Sequence, residues 1–231
     1  MWEEAAARDE VMIQDEAERG TGCIGDRWRV NMGTIFYIMG KSASGKDHIY
    51  TALLARSELN LKPIVLYTTR PMRQGEENGR EYYFSDERHL AELRKAGRII
   101  EERCYQTVSG PWYYFTADEG QIDLKKSDYL GIGTLESYEQ MVRYYGRNVM
   151  VPIYIEVDDG IRLERALRRE RKQKQPQYEE MCRRFLADQK DFSGEKTARA
   201  GITRRFNNNG TIQECIDEIA GFILSIKQRQ P

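Results

Sequence analysis

Gly40-Lys41-Ser42-Ala43-Ser44-Gly45-Lys46-Asp47 sets two glycines and a lysine at the spacing of a phosphate-cradling loop. The apolar run Ile35-Phe36-Tyr37-Ile38-Met39 stands directly before it. In such a loop successive backbone N–H groups turn inward onto phosphate oxygens, and the N-terminus of the next helix adds a favourable dipole. Lys46 would reach β- and γ-phosphates as a mobile point charge. The pattern asks for Ser or Thr after the lysine, to hold Mg²⁺, and this chain has Asp47. Deprived of its strand and helix, the stretch would be a glycine-rich turn with no ligand.

Two further stretches carry anion chemistry. Arg70 and Arg73, three apart in the segment Thr68 to Phe84, can converge on one phosphate, because guanidinium forks match phosphate oxygens in bidentate geometry. Taken alone that segment is an ordinary charged hairpin. The second is a basic run of Arg162, Arg165, Arg168, Arg169, Arg171, Lys172 and Lys174, followed by Arg183 and Arg184. In isolation such a run is a solvated helix face or a generic anion patch.

The elements that must position these groups read as alternating strands and helices. Ile35 to Met39 is the first strand, and a helix from Lys46 to about Ser57 follows the loop, with Ala52, Leu53, Leu54 and Ala55 in its buried stripe. Pro63 to Tyr67 is expected as the second strand. A helix over about Asp86 to Lys95 closes at Ala96-Gly97, and Arg98 to Tyr105 is a strand. Tyr129 to Thr134 is a strand, Leu135 to Tyr145 a helix stopped by Gly146, and Val149 to Glu156 a buried strand interrupted by Pro152. Asp159 to Asp188 is a helix pair. Ile202 to Phe206 is the last strand, Asn207 to Gly210 a turn, and Thr211 caps a helix through about Ile226.

The segment from Thr68 to Phe84, read as TTRxxRxGExxGxxYxF, together with the loop before it, resembles guanylate kinases. The resemblance covers about Gly33 to Lys227. It implies a P-loop three-layer α/β/α fold with a mostly parallel central sheet, a small inserted acceptor-binding β subdomain and a helical lid. The expected division is core 32–67 and 126–231, acceptor-binding subdomain about 68–125, and lid about 159–190. ATP phosphates would lie on Gly40, Ser42, Ala43, Ser44, Gly45, Lys46 and Asp47, with Asp47 as a Mg²⁺ ligand. The residues matching Arg70, Arg73 and Tyr82 would hold the phosphate of GMP. Glu101 matches the carboxylate that accepts from guanine N1–H and the 2-amino group. Tyr113-Tyr114-Phe115-Thr116 resembles the family's Tyr-Tyr-Gly-Ser/Thr, which puts Tyr114 on the GMP phosphate and Thr116 on the base. Arg165, Arg169 and Arg184 match the lid arginines and, with Lys46, would be the catalytic cations. The family's acidic strand, roughly Asp-Ile-Asp, reads Gly131-Ile132-Gly133 here, so two carboxylates are missing.

What remains of the chain bounds the class. At 231 residues it fits one α/β domain with an inserted subdomain, and 40% hydrophobic with 32% charged residues suits a well-solvated enzyme. A net charge of −1 excludes a global field for nucleic acid or membrane, and no apolar run reaches the ~20 residues of a membrane helix. Cys23, Cys104, Cys182 and Cys215 share no short spacing, which excludes a CxxC-type zinc site and fits a reducing cytoplasm. Residues 1–31 read as an N-terminal extension, disordered or preceding a native start at Met32, because Met32-Gly33-Thr34 leads straight into the first strand. The expected function is transfer of the γ-phosphoryl of Mg·ATP to GMP or dGMP by a monomer or weak homodimer, with no nucleic-acid or membrane partner. Two alternatives stand beside it: a kinase of the same fold for another nucleotide or a sugar phosphate such as a ribose phosphate, and an inactive guanylate kinase-like binding module.

Overall fold

The five apolar residues of β1 (Ile35–Met39) are buried on both faces, as a central strand of a parallel sheet must be. The structure, a computed structural model, describes residues 32–107 and 110–229. The expected N-terminal extension, residues 1–31, lies outside the described residues. After β1 come α1 (Lys46–Leu54), a 3₁₀ turn (Ser57–Leu59) and β2 (Leu61–Pro63). β3 (Tyr67–Thr68), β4 (Tyr83–Phe84), α2 (Glu87–Lys95), β5 (Ile99–Thr107) and β6 (Gly110–Ala117) follow. The chain then runs through β7 (Asp128–Gly133), α3 (Leu135–Tyr145), β8 (Met150–Glu156), α4 (Asp159–Glu170) and α5 (Tyr178–Asp191). It ends with α6 (Gly194–Arg199), β9 (Arg205–Asn207) and α7 (Ile212–Lys227).

The central sheet has the order β2-β7-β1-β8-β9 with every pair parallel, and a second sheet has the order β4-β3-β6-β5. Successive residues of β1 face opposite layers. Phe36 and Ile38 pack with Ile49 and Leu53 of α1 and Ile216, Ile219 and Ile223 of α7. Ile35, Tyr37 and Met39 pack with Leu135, Tyr138 and Met141 of α3. This is an α/β fold with helices on both faces of a parallel sheet. Local signals start the helices: Asp86 accepts from the His89 amide, and Thr134 with Ser137 and Thr211 with Glu214 form capping boxes. No helix of the described residues is long and apolar enough to cross a membrane.

The second strand departs from expectation. β2 ends at Pro63, on the sheet edge where a residue without N–H is tolerated, and only the Ile64 amide still bonds to Leu130 O, at 3.0 Å. The amide of Gln121 then takes both backbone groups of Val65 (3.1 and 3.0 Å), so the chain leaves the central sheet before Tyr67 enters the second one. Phe115 is also explained. It stands where the resembled pattern has glycine because it fills the core under α2, fully buried and stacked on Tyr67 at 5.1 Å.

Gly131 and Gly133 lie beside Tyr37, which is paired to Gly131 across the sheet. A Cβ on Gly131 would meet the Tyr37 ring at 2.6 Å, and one on Gly133 would meet the Tyr37 hydroxyl at 2.3 Å and Ser137 Oγ at 2.4 Å. The space is therefore filled from the neighbouring strand, and the hydroxyl donates to Ser137 Oγ at 2.8 Å. Gly133→Ala is expected to cost about 1–3 kcal/mol through overpacking. Tyr37→Phe in the same chain should recover part of that loss, as read from the urea denaturation midpoints of the two single variants and the double one.

Candidate active site

The loop between β1 and α1 is shaped by one residue above all. Gly45 holds φ 87°, and a Cβ there would lie 2.7 Å from Asn208 Nδ2, so both backbone and space demand glycine. Ala43 also stands in the left-handed region, at φ 61°. The amides of Ala43, Gly45, Lys46 and Asp47 donate to no acceptor among the described residues. Four orphan donors at a helix N-terminus make an anion cradle. Asn208 braces the loop from below, its Nδ2 donating to Ser44 O at 2.8 Å. The buried Ser44 Oγ and Asn208 Oδ1 have no partner.

This loop forms one wall of a cleft of about 1050 Å³. Gly40, Ser42, Lys46 and Asp47 line that wall; Arg73, Arg80, Tyr82, Arg103, Tyr105, Trp112 and Tyr114 line the side formed by the second sheet. Arg183, Arg184 and Asp188 of α5 also line it. Lys46 Nζ lies 3.6 Å from the Asp47 carboxylate, whose side chain is 80% exposed. The cleft thus faces a cradle with a cation at its mouth toward a basic, aromatic wall.

On that wall Arg73, Tyr82 and Tyr114 reach the cleft and Arg70 does not. Arg70 is buried beneath, forking onto Glu76 at 2.8 and 3.0 Å, with its guanidinium over the rings of Tyr82 (5.4 Å) and Phe84 (5.6 Å). The Glu76 hydrogen bonds hold the Arg70 pKa above its usual value. Glu76 Oε2 also accepts from the Arg73 amide at 2.7 Å, so the pair shapes the backbone that presents Arg73. Glu101 and Thr116 face each other across β5 and β6, both buried, with Thr116 Oγ1 donating to Glu101 Oε1 at 3.0 Å. Burial pushes the Glu101 carboxyl up. Arg103 covers it from the cleft side.

Helices α4 and α5 meet the loop through Arg162, whose side chain is only 1% exposed. Its Nε donates to Ser42 O at 2.9 Å, its Nη2 to Asp188 Oδ2 at 2.7 Å and its Nη1 to Asp159, while Phe185 stacks against it at 4.9 Å. Asp188 accepts in turn from the Ser42 amide at 2.8 Å. Lys41 Nζ reaches Gln189 Oε1 at 2.7 Å. Of the three lid arginines expected from the sequence, Arg184 lines the cleft. Arg165 donates to Asn208 O at 2.9 Å and Arg169 is exposed beside Glu170 at 3.8 Å; neither lines it. The face of α4 that is buried carries Arg162, Ala166 and Glu170, four apart, and Arg165 and Arg169 sit one residue off it. Sequence reasoning passed over Arg162, Asp188, Asn208 and Arg103. The four-residue stripe from Arg162 was a readable signal for the first of these. Nothing local marked Asp188 or Asn208.

The guanylate kinase family model matches residues 32–193, from just before β1 to just beyond α5. The chain belongs to the guanylate kinase family. A guanylate kinase of Chromobacterium violaceum is 30% identical over 105 residues, 43% of this chain and 49% of that protein. One of Vibrio cholerae serotype O1 is 35% identical over 82 residues, 35% of this chain and 38% of that protein. One of Bordetella pertussis is 37% identical over 81 residues, 35% of this chain and 36% of that protein. The matched stretches span about half or less of the length of these curated relatives. In fold, the crystal structure of guanylate kinase from Anaplasma phagocytophilum superposes with TM-score 0.56 at 22% identity, covering 84% of this chain and 86% of that one.

Within this guanylate kinase family member, Arg162 is the joint between the loop and helices α4 and α5. Arg162→Met should strip the buried pairs and leave Asp188 uncompensated. The expected loss is about 3 kcal/mol, the low end for a broken buried pair because Asp159 and Asp188 keep some solvent. Urea denaturation measures it, and an unchanged midpoint would refute the joint.

Proposed function

We propose that this protein is a nucleoside monophosphate kinase that transfers the γ-phosphoryl of Mg·ATP to GMP or dGMP, giving ADP and GDP or dGDP. The observation that carries this reading is that a loop with four open amides presents Lys46 and Asp47 to the same cleft that Arg73, Tyr82 and Tyr114 line from the other side. The arrangement can hold two phosphate groups facing each other. In this reading the sheet β4-β3-β6-β5 with its loops is the acceptor-binding subdomain, and α4 with α5 is the lid.

An acceptor phosphate oxygen can attack directly, so no protein nucleophile is required. The chain's own contribution is alignment and charge. The loop amides and Lys46 hold the donor phosphates. Arg73, Tyr82 and Tyr114 hold the acceptor phosphate. Arg183 and Arg184 bring positive charge from the lid onto the transferring group, and the lid excludes water that would otherwise take the phosphoryl. Among the described residues no cluster of three or more His, Cys, Asp or Glu stands ready to hold a metal on its own. A single hard carboxylate beside phosphates is nonetheless the donor set Mg²⁺ accepts, and Asp47 in the first turn of α1 fits it. Bound there, Mg²⁺ would supply charge neutralisation on the β- and γ-oxygens.

Coupled ADP release with Mg·ATP and a panel of GMP, dGMP, AMP, CMP, UMP and ribose phosphates tests the reading. Turnover with GMP supports it; turnover with another acceptor alone, or ATP binding without turnover, replaces it with one of the alternatives. Lys46→Ala should lower kcat by about 100-fold or more while circular dichroism and the unfolding midpoint stay near wild type. Full turnover in that variant would remove the loop from the mechanism. Asp47→Ser restores the residue of the common pattern, yet it should raise the Mg²⁺ concentration needed for half-maximal rate. The reason is that Gly131 and Gly133 leave the end of the neighbouring strand beside the loop without a carboxylate to share the metal's charge.

A further inference from the structure

The wall on which an acceptor base would lie shows donors where a guanine-reading wall needs acceptors. Guanine offers N1–H and the 2-amino group on one edge and the acceptors O6 and N7 on another. Glu101, the carboxylate suited to the first edge, is 0% exposed and fully engaged. Its Oε1 accepts from Thr116 Oγ1 at 3.0 Å and from Arg103 Nη2 at 3.4 Å, and its Oε2 accepts from Arg103 Nε at 3.1 Å. Residues 101 and 103 share one face of β5, so the arginine lies on the carboxylate like a cover. What the cleft meets is the guanidinium. Its Nη1 makes no hydrogen bond among the described residues.

A second observation points the same way. The neighbouring strand cannot supply a replacement carboxylate, because Tyr37 fills the space above Gly131 and Gly133. Tyr105, Trp112 and Tyr114 complete the wall with rings on which a planar base can stack. The other acids lining the cleft belong elsewhere: Asp47 to the phosphate loop, Glu81 to Arg80, Glu180 to Arg183, Asp188 to Arg162 and Asp191 to the end of α5.

We propose that Arg103 is a specificity-determining residue that reads the O6/N7 edge of a 6-oxopurine, so that this site takes hypoxanthine and guanine nucleotides alike. An arginine fork on O6 and N7 is the commonest arginine–base contact, and adenine puts an amino donor where O6 would be. The 2-amino group that separates guanine from hypoxanthine finds Glu101 closed off by Arg103. This inference rests on the kinase reading only in taking the acceptor to be a nucleoside monophosphate.

The test measures kcat/KM by ADP release, and Kd by calorimetry in the absence of turnover, for GMP, IMP and AMP. Wild type should treat GMP and IMP within about threefold of each other in both measurements and AMP at least about tenfold worse. Arg103→Ala uncovers Glu101 and should raise the GMP-to-IMP ratio by about tenfold or more. Arg103→Gln keeps a donor on Glu101 without the fork and should erase the advantage over AMP, which covers the case in which the alanine variant does not fold. A wild-type preference of tenfold or more for GMP over IMP overturns the proposal, as does equal treatment of AMP, or binding of none of the three. Binding in the expected ratios without ADP release would sustain the proposal and sink the kinase reading. Turnover on GMP with IMP rejected would do the reverse.

Discussion

A guanidinium removed from water has to be neutralised where it lies, and Arg162 imposes that condition on everything around the phosphate loop. Its three nitrogens take the Ser42 carbonyl and the carboxylates of Asp159 and Asp188, and a ring from Phe185 covers its face. Each partner comes from a different element: the loop after β1, the first turn of α4 and the last turn of α5. None can move far without leaving a buried charge short of a partner. The loop's shape and the seating of α4 and α5 are therefore one problem with one solution. Asn208 makes a parallel constraint from the other side, where its amide holds Ser44 O and its own carbonyl holds Arg165.

The same reasoning separates the two ends of the cleft. At the loop, backbone groups are left open: four amides with no acceptor among the described residues, at the start of a helix whose dipole favours an anion. On the wall formed by the second sheet, side chains are already satisfied among themselves. Arg70 is spent on Glu76, and Glu101 on Thr116 and Arg103. Such closed pairs hold their neighbours in place and leave the ligand to residues one layer forward: Arg73 above Glu76, Arg103 above Glu101. Glu101 is expected from the sequence to meet a ligand, and in the structure it is bonded to Thr116 and Arg103.

How much of this was legible in the sequence depended on range. β1, the loop, α3 and α7 announce themselves within a few residues, through an apolar run, two glycines and Thr134 and Thr211 as caps. The second strand did not, because Val65 looks like strand but is held by Gln121, a side chain whose amide imitates a neighbouring strand. Gly131 and Gly133 read as two missing acids. Only the register that pairs Tyr37 with Gly131, and lays its hydroxyl beside Gly133, shows that the volume went to a ring instead. Arg165, Arg169 and Arg184 are expected from the resemblance alone, and a resemblance does not say which face of α4 is buried. Arg103 lay two positions from Glu101, within reach of the alternation rule for strands. The sequence carried that clue, but pairing with Glu101 depends on side-chain direction.

The hold of α4 and α5 on the loop also bears on how an anion would enter it. One N–H serves one acceptor well, and the Ser42 amide is already given to Asp188 at 2.8 Å. The amides of Ala43, Gly45, Lys46 and Asp47 are not given to anything. An anion arriving in the cradle can take these four at no cost to existing bonds. Drawing Ser42 into the set means exchanging with a carboxylate that Arg162 also holds. Two negative groups cannot share that corner without repulsion, so the depth at which a phosphate sits and the position of α5 must vary together. The coupling needs no signal passed over a distance, because loop, arginine and lid carboxylate are in direct contact.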